Sequence, residues 1–222
     1  MSILRPKFIT FDCYGTLTNF QIGPVTRELF KDRVSPEQMD AFLAEFSAFR
    51  LDQVMGGWKP YNEILESALS RVCKRWGVEY RGEAAQCYAA IPSWGPHPDV
   101  TAGLAKIADK IPLVLLTNAM DEHIMSNVDL LGVNIHKVYT AQQAQAYKPR
   151  LEAFEFLLDN LNCAPNAILH VSSSFRYDLM PANDLGITNK VFVARGHEQP
   201  GNAVYNYHQI PDIGGLPGLV GL

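Results

Sequence analysis

Five short apolar runs separated by stretches of helical periodicity constrain this 222-residue chain more than any other feature. The runs cover residues 7–11, 113–116, 137–140, 167–171 and 190–193, and helical patterns lie between the later ones at 100–111, 120–131, 151–161 and 179–185. Strands that alternate with helices predict a parallel sheet covered by helices on both faces. Ligands on such sheets bind beyond the carboxyl ends of the strands, so the residues that close each run deserve the closest reading.

One gap breaks the alternation. Between the first run and Val100 lie nearly ninety residues without a convincing strand. Helical spacing predicts helices at 25–34, 36–55, 61–76 and 82–91, with Phe42, Phe46 and Phe49 on one stripe. Ser35 before Pro36 fits an N-cap followed by a first helical residue. The proline-containing stretch 93–99 reads as a rigid return linker. The expected organisation is therefore a Rossmann-like core, residues 1–18 and 96–222, interrupted by a helical cap at 19–95. The glycine-rich tail around residues 214–218 is expected to be a loop packed on the core.

Hydrophobic residues make up 47% of the chain, enough for a sizeable core, and the formal charge is −4. No Lys/Arg run exceeds two residues, so neither a nucleic acid nor an anionic membrane surface is an expected partner. The apolar runs are far shorter than a membrane span, and the first residues lack an apolar signal core, so a cytoplasmic location is expected. Cys13, Cys73, Cys87 and Cys163 are scattered without a CxxC pair, which fits reduced thiols.

Four core segments end in polar residues. Asp12 follows the first and leads into Cys13, Tyr14, Gly15 and Thr16; Thr117 and Asn118 close the second. Tyr147, Lys148 and Pro149 form another group, and Ser172, Ser173, Ser174, Arg176, Tyr177 and Asp178 follow His170. On a parallel sheet these would converge on one edge and bring two carboxylates, a lysine and several hydroxyls into one pocket. A carboxylate placed like Asp12 can act as a nucleophile.

This ordered set, with the sequence Asp12-Cys13-Tyr14-Gly15-Thr16-Leu17 at its head, resembles the haloacid dehalogenase superfamily, and within it the type II 2-haloacid dehalogenases. The resemblance spans essentially the whole chain and implies the same Rossmann-like core with an inserted helical cap. It implies that Asp12 displaces halide from C2 of a short 2-haloacid, and that water then hydrolyses the resulting ester to a 2-hydroxyacid. Lys148 would neutralise Asp12, and Asp178 would hold Lys148 and position the water. Thr16, Ser173 and Ser174 would support the catalytic group, while Tyr14, Thr117, Asn118 and Arg50 would contact substrate. No cofactor and no metal are implied, and a homodimer is the assembly suggested by analogy.

Phosphatases of the superfamily carry a second acid two residues after the nucleophile, which protonates the leaving alkoxide. Here that position is Tyr14, and Ser174 stands where a magnesium-binding acid is usual. Halide leaves without a proton, so the pattern favours carbon–halogen cleavage over a small-molecule phosphatase. The chain also departs from the best-known dehalogenases. Phe42 stands where they place a halide-binding arginine, leaving Arg50 on the same predicted helix as the substitute, and Phe154 replaces a tyrosine. Arg176 is a second candidate cation, and Trp58, Tyr61 and Trp94 are candidate pocket aromatics. These departures keep open a third reading, a non-catalytic protein that binds a small carboxylate.

Overall fold

The central strand of the protein is β1, Phe8–Phe11, whose four side chains are all buried. In the computed structural model, which describes residues 3–201 and 203–222, β1 pairs in parallel with β2 (Leu113–Thr117) on one side and β4 (Ile168–Ser172) on the other. β3 (Lys137–Thr140) and β5 (Asn189–Val193) extend the sheet outward, and β6 (His208–Ile210) closes it beyond β5. The order is β3-β2-β1-β4-β5-β6, with every pairing parallel. This is the α/β, Rossmann-like class that the alternating runs predict.

Two compact units make up the described chain. One contains the sheet and is built from residues up to Asn19 together with Gly95–Leu222; the other is Phe20–Trp94. The second unit is all helical: α1 (Ile22–Phe30), α2 (Pro36–Val54), α3 (Tyr61–Trp76) and α4 (Glu83–Ala90). Of the predicted stripe, Phe42 and Phe46 are buried and Phe49 is half-buried; Phe30 joins the interior, and Phe42 is set edge-on to Trp76 at 5.6 Å. Ser35 is the N-cap of α2 by position, but its side chain makes no capping hydrogen bond. A partly buried ion pair between Arg33 and Glu83 ties α4 back to the segment after α1.

Alternation along the strands divides the core of the sheet unit. Ile9, Phe11, Leu113, Leu115, Leu169 and Val171 share one cluster with Val100 and Leu104 of α5 (Val100–Ala105) and Ile124 of α6 (Asp121–Asp129). Phe8, Val114, Leu116 and Ile168 meet Phe154 and Leu157 on the other face. α8 (Leu151–Leu161) and α9 (Met180–Asp184) contribute to that face, and α7 (Ala141–Ala144) follows β3.

The tail departs from expectation. Residues 208–210 form a sixth strand, Ile213–Gly215 form a 3-10 turn, and Leu216–Val220 form α10, with Leu216, Pro217 and Val220 buried. Three residues with one buried side chain carry no periodicity, so β6 was invisible in the sequence. No helix among the described residues is long and apolar enough to cross a membrane.

The tail packs so tightly against α5 that Gly103 is required there. A Cβ at this position would lie 2.9 Å from Ile213 Cγ2 and 3.0 Å from the Ile213 backbone carbon. Gly103→Ala is therefore expected to destabilise the fold by about 1–3 kcal/mol, the usual cost of overpacking, and urea unfolding will measure it.

Candidate active site

The site is built at the carboxyl ends of the central strands. Asp12 is the first residue past β1, and its amide still bonds to Val171 O of β4 at 3.1 Å. The chain then turns within three residues. The amides of Thr16, Leu17 and Thr18 all bond to Cys13 O at 2.8–3.2 Å, and the Gly15 amide bonds to Thr18 O. Gly15 adopts φ +94°, a conformation an L side chain resists. The turn consumes the amides of residues 15–18, so these four are not available as oxyanion donors.

Lys148 reaches this carboxylate from the loop after α7. Its ammonium donates to Asp12 Oδ1 at 2.8 Å and to Asp178 Oδ1 at 2.7 Å, and all three side chains are buried. Burial alone would depress a lysine, but the two carboxylates outweigh it and hold Lys148 above its ordinary value. For Asp12 burial is the larger effect and pushes it up; Lys148 and the Thr16 hydroxyl pull it back, while Asp178 adds to the rise. Asp178 is likewise opposed by burial, but Lys148 and His170 prevail and lower it. Two carboxylates sharing one ammonium cannot both be fully compensated, and the pair divides in that way.

Hydroxyls complete the surroundings of Asp12. Thr16 Oγ1 donates to Asp12 Oδ2 at 2.6 Å and accepts from the Ser173 amide at 2.9 Å. Ser173 Oγ donates to Gly15 O at 3.0 Å and lies 3.2 Å from His197 Nε2. Ser174 Oγ donates to Glu198 Oε1 at 2.6 Å and accepts from the Tyr177 amide at 3.1 Å. It thus caps the single π turn, Phe175–Leu179, that carries Asp178. Ser172 is buried and its Oγ accepts from the Ser174 amide, so it shapes the turn.

The remaining sequence candidates fall into distinct places. Asn118 is tied at both ends to the Lys148 backbone, accepting from its amide at 2.7 Å and donating to its carbonyl at 2.9 Å. Its role in this geometry is to hold the lysine loop. Thr117 Oγ1 is buried with no hydrogen-bond partner among the described residues. Tyr14 donates its hydroxyl to Asn127 Oδ1 at 2.8 Å. Arg176 is exposed. Within the helical unit, Arg50 lies over the rings of Phe46 and Phe20 at 5.0 and 5.5 Å and donates to the Tyr61 hydroxyl at 3.3 Å. Tyr61 and Trp94 are buried in that unit, Trp94 edge-on to Phe20 at 5.1 Å. Trp58 is half-buried in the same unit. Cys13 is a buried thiol pushed up to about 12 by burial, which rules it out as a thiolate nucleophile.

Sequence reading missed four polar residues that the structure gathers here. Arg195 donates from Nε and Nη2 to Thr16 O at 3.1 and 2.9 Å and pairs with Asp99 at 2.6 Å. His197 and Glu198 follow it and contact Ser173 and Ser174. All three close β5, so the strand-end rule applied to the fifth run would have found them. The fourth, His170, lies inside β4 and donates from Nε2 to Asp178 Oδ1 at 3.0 Å. Only its position inside an apolar run marked it.

A magnesium ion does not fit this donor set. Among the described residues no three His, Cys, Asp or Glu side chains are grouped to hold a metal. The ammonium of Lys148 already takes one oxygen from each carboxylate, and Tyr14 and Ser174 bring no acid. An octahedral magnesium site draws on several carboxylate oxygens, and Tyr14 and Ser174 supply none of them.

The model of the haloacid dehalogenase-like hydrolases matches residues 6–186, and the chain belongs to that family. No curated relative matches it. Among solved structures, a dehalogenase with an intermediate complex is 22% identical, covers 99% of both chains and superposes with a TM-score of 0.81. The L-2-haloacid dehalogenase from Xanthobacter autotrophicus with chloropropionic acid covalently bound is 20% identical over 97% of this chain and 98% of that one, with a TM-score of 0.76. A putative hydrolase of the same superfamily from Bacillus subtilis, YfnB, solved bound to magnesium, is 14% identical over 99% of this chain and 100% of its own, with a TM-score of 0.81. At these identities the likeness establishes the fold.

Lys148→Met would leave two buried carboxylates without their cation. The expected cost at neutral pH is about 3–5 kcal/mol, read by urea unfolding. Asp178 is lowered from 3.8, so its share of the pairing is present above that value and lost as pH falls through the lower folded one. Lys148 is raised from 10.5, so its share is present below that value and lost as pH rises through the higher folded one. Both carboxylates lose their main lowering partner in the variant, so the difference between wild type and variant should grow as pH rises from acid toward neutral and shrink again as pH rises through the raised Lys148 value.

Proposed function

We propose that this chain is a metal-independent hydrolase that converts short 2-haloalkanoic acids to 2-hydroxyacids through an ester on Asp12. The observation that carries the proposal is the buried Asp12–Lys148–Asp178 triad, combined with a tyrosine hydroxyl, not a carboxylate, two residues after the nucleophile. In the first step an Asp12 carboxylate oxygen attacks C2 and the carbon–halogen bond breaks, releasing halide. Halide is too weak a base to need a proton, so no acid is required at Tyr14. In the second step water adds to the carboxyl carbon of Asp12. The bond from that carbon to the substrate oxygen then breaks, the released oxygen takes up a proton, and Asp12 is regenerated with one oxygen from water. The balance is one water consumed, with one halide, one hydroxyacid anion and one proton released.

The other residues follow from this reading. Lys148 keeps Asp12 ionised in a buried setting and Thr16 orients it. Asp178 Oδ2 is buried without a hydrogen-bond partner among the described residues, which suits an oxygen that takes the proton of the attacking water. The unpartnered Thr117 hydroxyl suits the substrate carboxylate. Arg50 is the cation proposed to receive halide.

Incubation with 2-chloropropionate, bromoacetate and fluoroacetate should release halide at rates that EDTA leaves unchanged within about twofold. Asp12→Asn should lower that release at least about 10³-fold, since it removes the nucleophile. No halide from any of these acids, or magnesium-dependent phosphate release from an aryl phosphate, would sink the proposal.

Asp12 must be ionised to attack, and burial raises it from 3.8. The acid limb of the halide-release profile should therefore have its midpoint above 3.8, with activity lost as pH falls through the raised value. Stopped assays across pH 3–8 on prequenched single turnovers, about one pH unit apart, would reveal it.

A further inference from the structure

His170 is the one histidine whose ring is wholly buried in the sheet, and both of its nitrogens are used. Nδ1 lies 2.8 Å from the Thr10 hydroxyl on β1, and Nε2 lies 3.0 Å from Asp178 Oδ1. Thr10 and His170 are register partners of the parallel β1–β4 pair, so the sheet itself sets their separation. The Phe154 and imidazole rings meet in a T-shaped contact with centroids 5.2 Å apart. Simple core filling would not require this. A buried imidazole costs stability unless its polar atoms are paired, and an aliphatic side chain would fill a sheet interior without that requirement.

The important feature is which oxygen His170 takes. Lys148 and His170 both donate to Asp178 Oδ1, at 2.7 and 3.0 Å. Two donors converging on one oxygen fix the plane of the carboxylate and stop it from offering both oxygens to the ammonium. The second oxygen, Oδ2, is left buried with no hydrogen-bond partner among the described residues. An unpaired buried acceptor costs about 1–3 kcal/mol, so this arrangement persists against a penalty that a bound water would remove.

We infer that Thr10 and His170 form a positioning pair that turns Asp178 so that Oδ2 faces the water attacking the Asp12 ester. This inference rests on the ester mechanism proposed above and assigns it a second line of residues. Asp178 Oδ2 accepts the proton as the water oxygen bonds to the Asp12 carboxyl carbon. The same proton passes to the substrate oxygen as its bond to that carbon breaks. His170 donates throughout and exchanges no proton. It acts only on the second step, because attack on C2 needs Asp12 and Lys148 and does not involve the free oxygen of Asp178.

The test separates the two steps. Halide release from 2-chloropropionate is followed from the first turnover in wild type, His170→Phe, His170→Gln and Thr10→Val, with intact-protein mass measured after acid quench. His170→Phe keeps a ring but removes the donor. It should give a halide burst approaching one equivalent, and then a steady state slower by roughly 10–100-fold, less than the full contribution of a general base because only orientation is lost. The quenched protein should carry the added mass of the ester. His170→Gln can still donate to Asp178 and should restore most of the steady-state rate. Thr10→Val keeps the imidazole and should show the same imbalance, more weakly.

Equal loss of burst and steady state in His170→Phe and Thr10→Val, with no ester in the mass spectrum, would overturn the inference and leave the dehalogenase reading intact. Wild-type turnover in both variants would do the same. A wild-type protein that releases no halide from any acid overturns the dehalogenase reading first, and the ester-hydrolysis role of His170 with it.

Discussion

Everything in the site depends on one buried ammonium. Lys148 stands between Asp12 and Asp178 at 2.8 and 2.7 Å, and neither carboxylate could be held ionised out of water without it. Desolvating a single such ion costs several kcal/mol even after relaxation, so three together are tolerable only when paired at hydrogen-bond distance. The surrounding contacts read as devices that keep the ammonium in place. Asn118 clasps the Lys148 backbone from both sides, and the capped π turn delivers Asp178. The cost is a fold with little tolerance at these positions, and the gain is a carboxylate at the strand end paired with an ammonium instead of water.

The parallel sheet makes such an arrangement possible. β1, β2 and β4 are neighbours in the sheet although they are far apart in the chain, and their carboxyl ends bring Asp12, Thr117 and Ser172–Ser174 to one edge. The strands are buried on both faces, so a polar group inside the sheet costs stability unless it is paired. Thr10, His170 and Asp178 meet that condition by bonding to one another. A line of polar contacts therefore runs from Thr10 inside the sheet through His170, Asp178 and Lys148 to Asp12.

The chemistry is decided by small substitutions on a shared scaffold. Family membership and fold leave the reaction open, because the same architecture serves relatives of different function. In this chain the acid that a phosphate ester would need is a tyrosine bonded to Asn127, and the acid that would help hold magnesium is a serine bonded to Glu198. Both changes remove proton-donating or metal-binding capacity and leave nucleophilic capacity intact. A leaving group that departs as a stable anion matches what remains.

Local physics made much of this legible in the chain. Period-two and period-3.6 patterns are intrinsic to strands and helices, so five strands and the long helices of Phe20–Trp94 could be read directly. The rule that parallel strands end at the ligand edge then picked out Asp12, Lys148 and Asp178. Other features needed the folded chain. β6 and α10 lie in a tail whose glycines and short length carry no period, and they form because β5 offers an open edge and α5 offers a surface that only a glycine lets the tail approach. Arg195 and His170 acquire their roles from residues about 96 and 160 positions away, Asp99 and Thr10, a separation that no local pattern records. Which oxygen of Asp178 is engaged and which is left over was likewise settled only by the sheet register, because it depends on where three backbones hold their side chains in space.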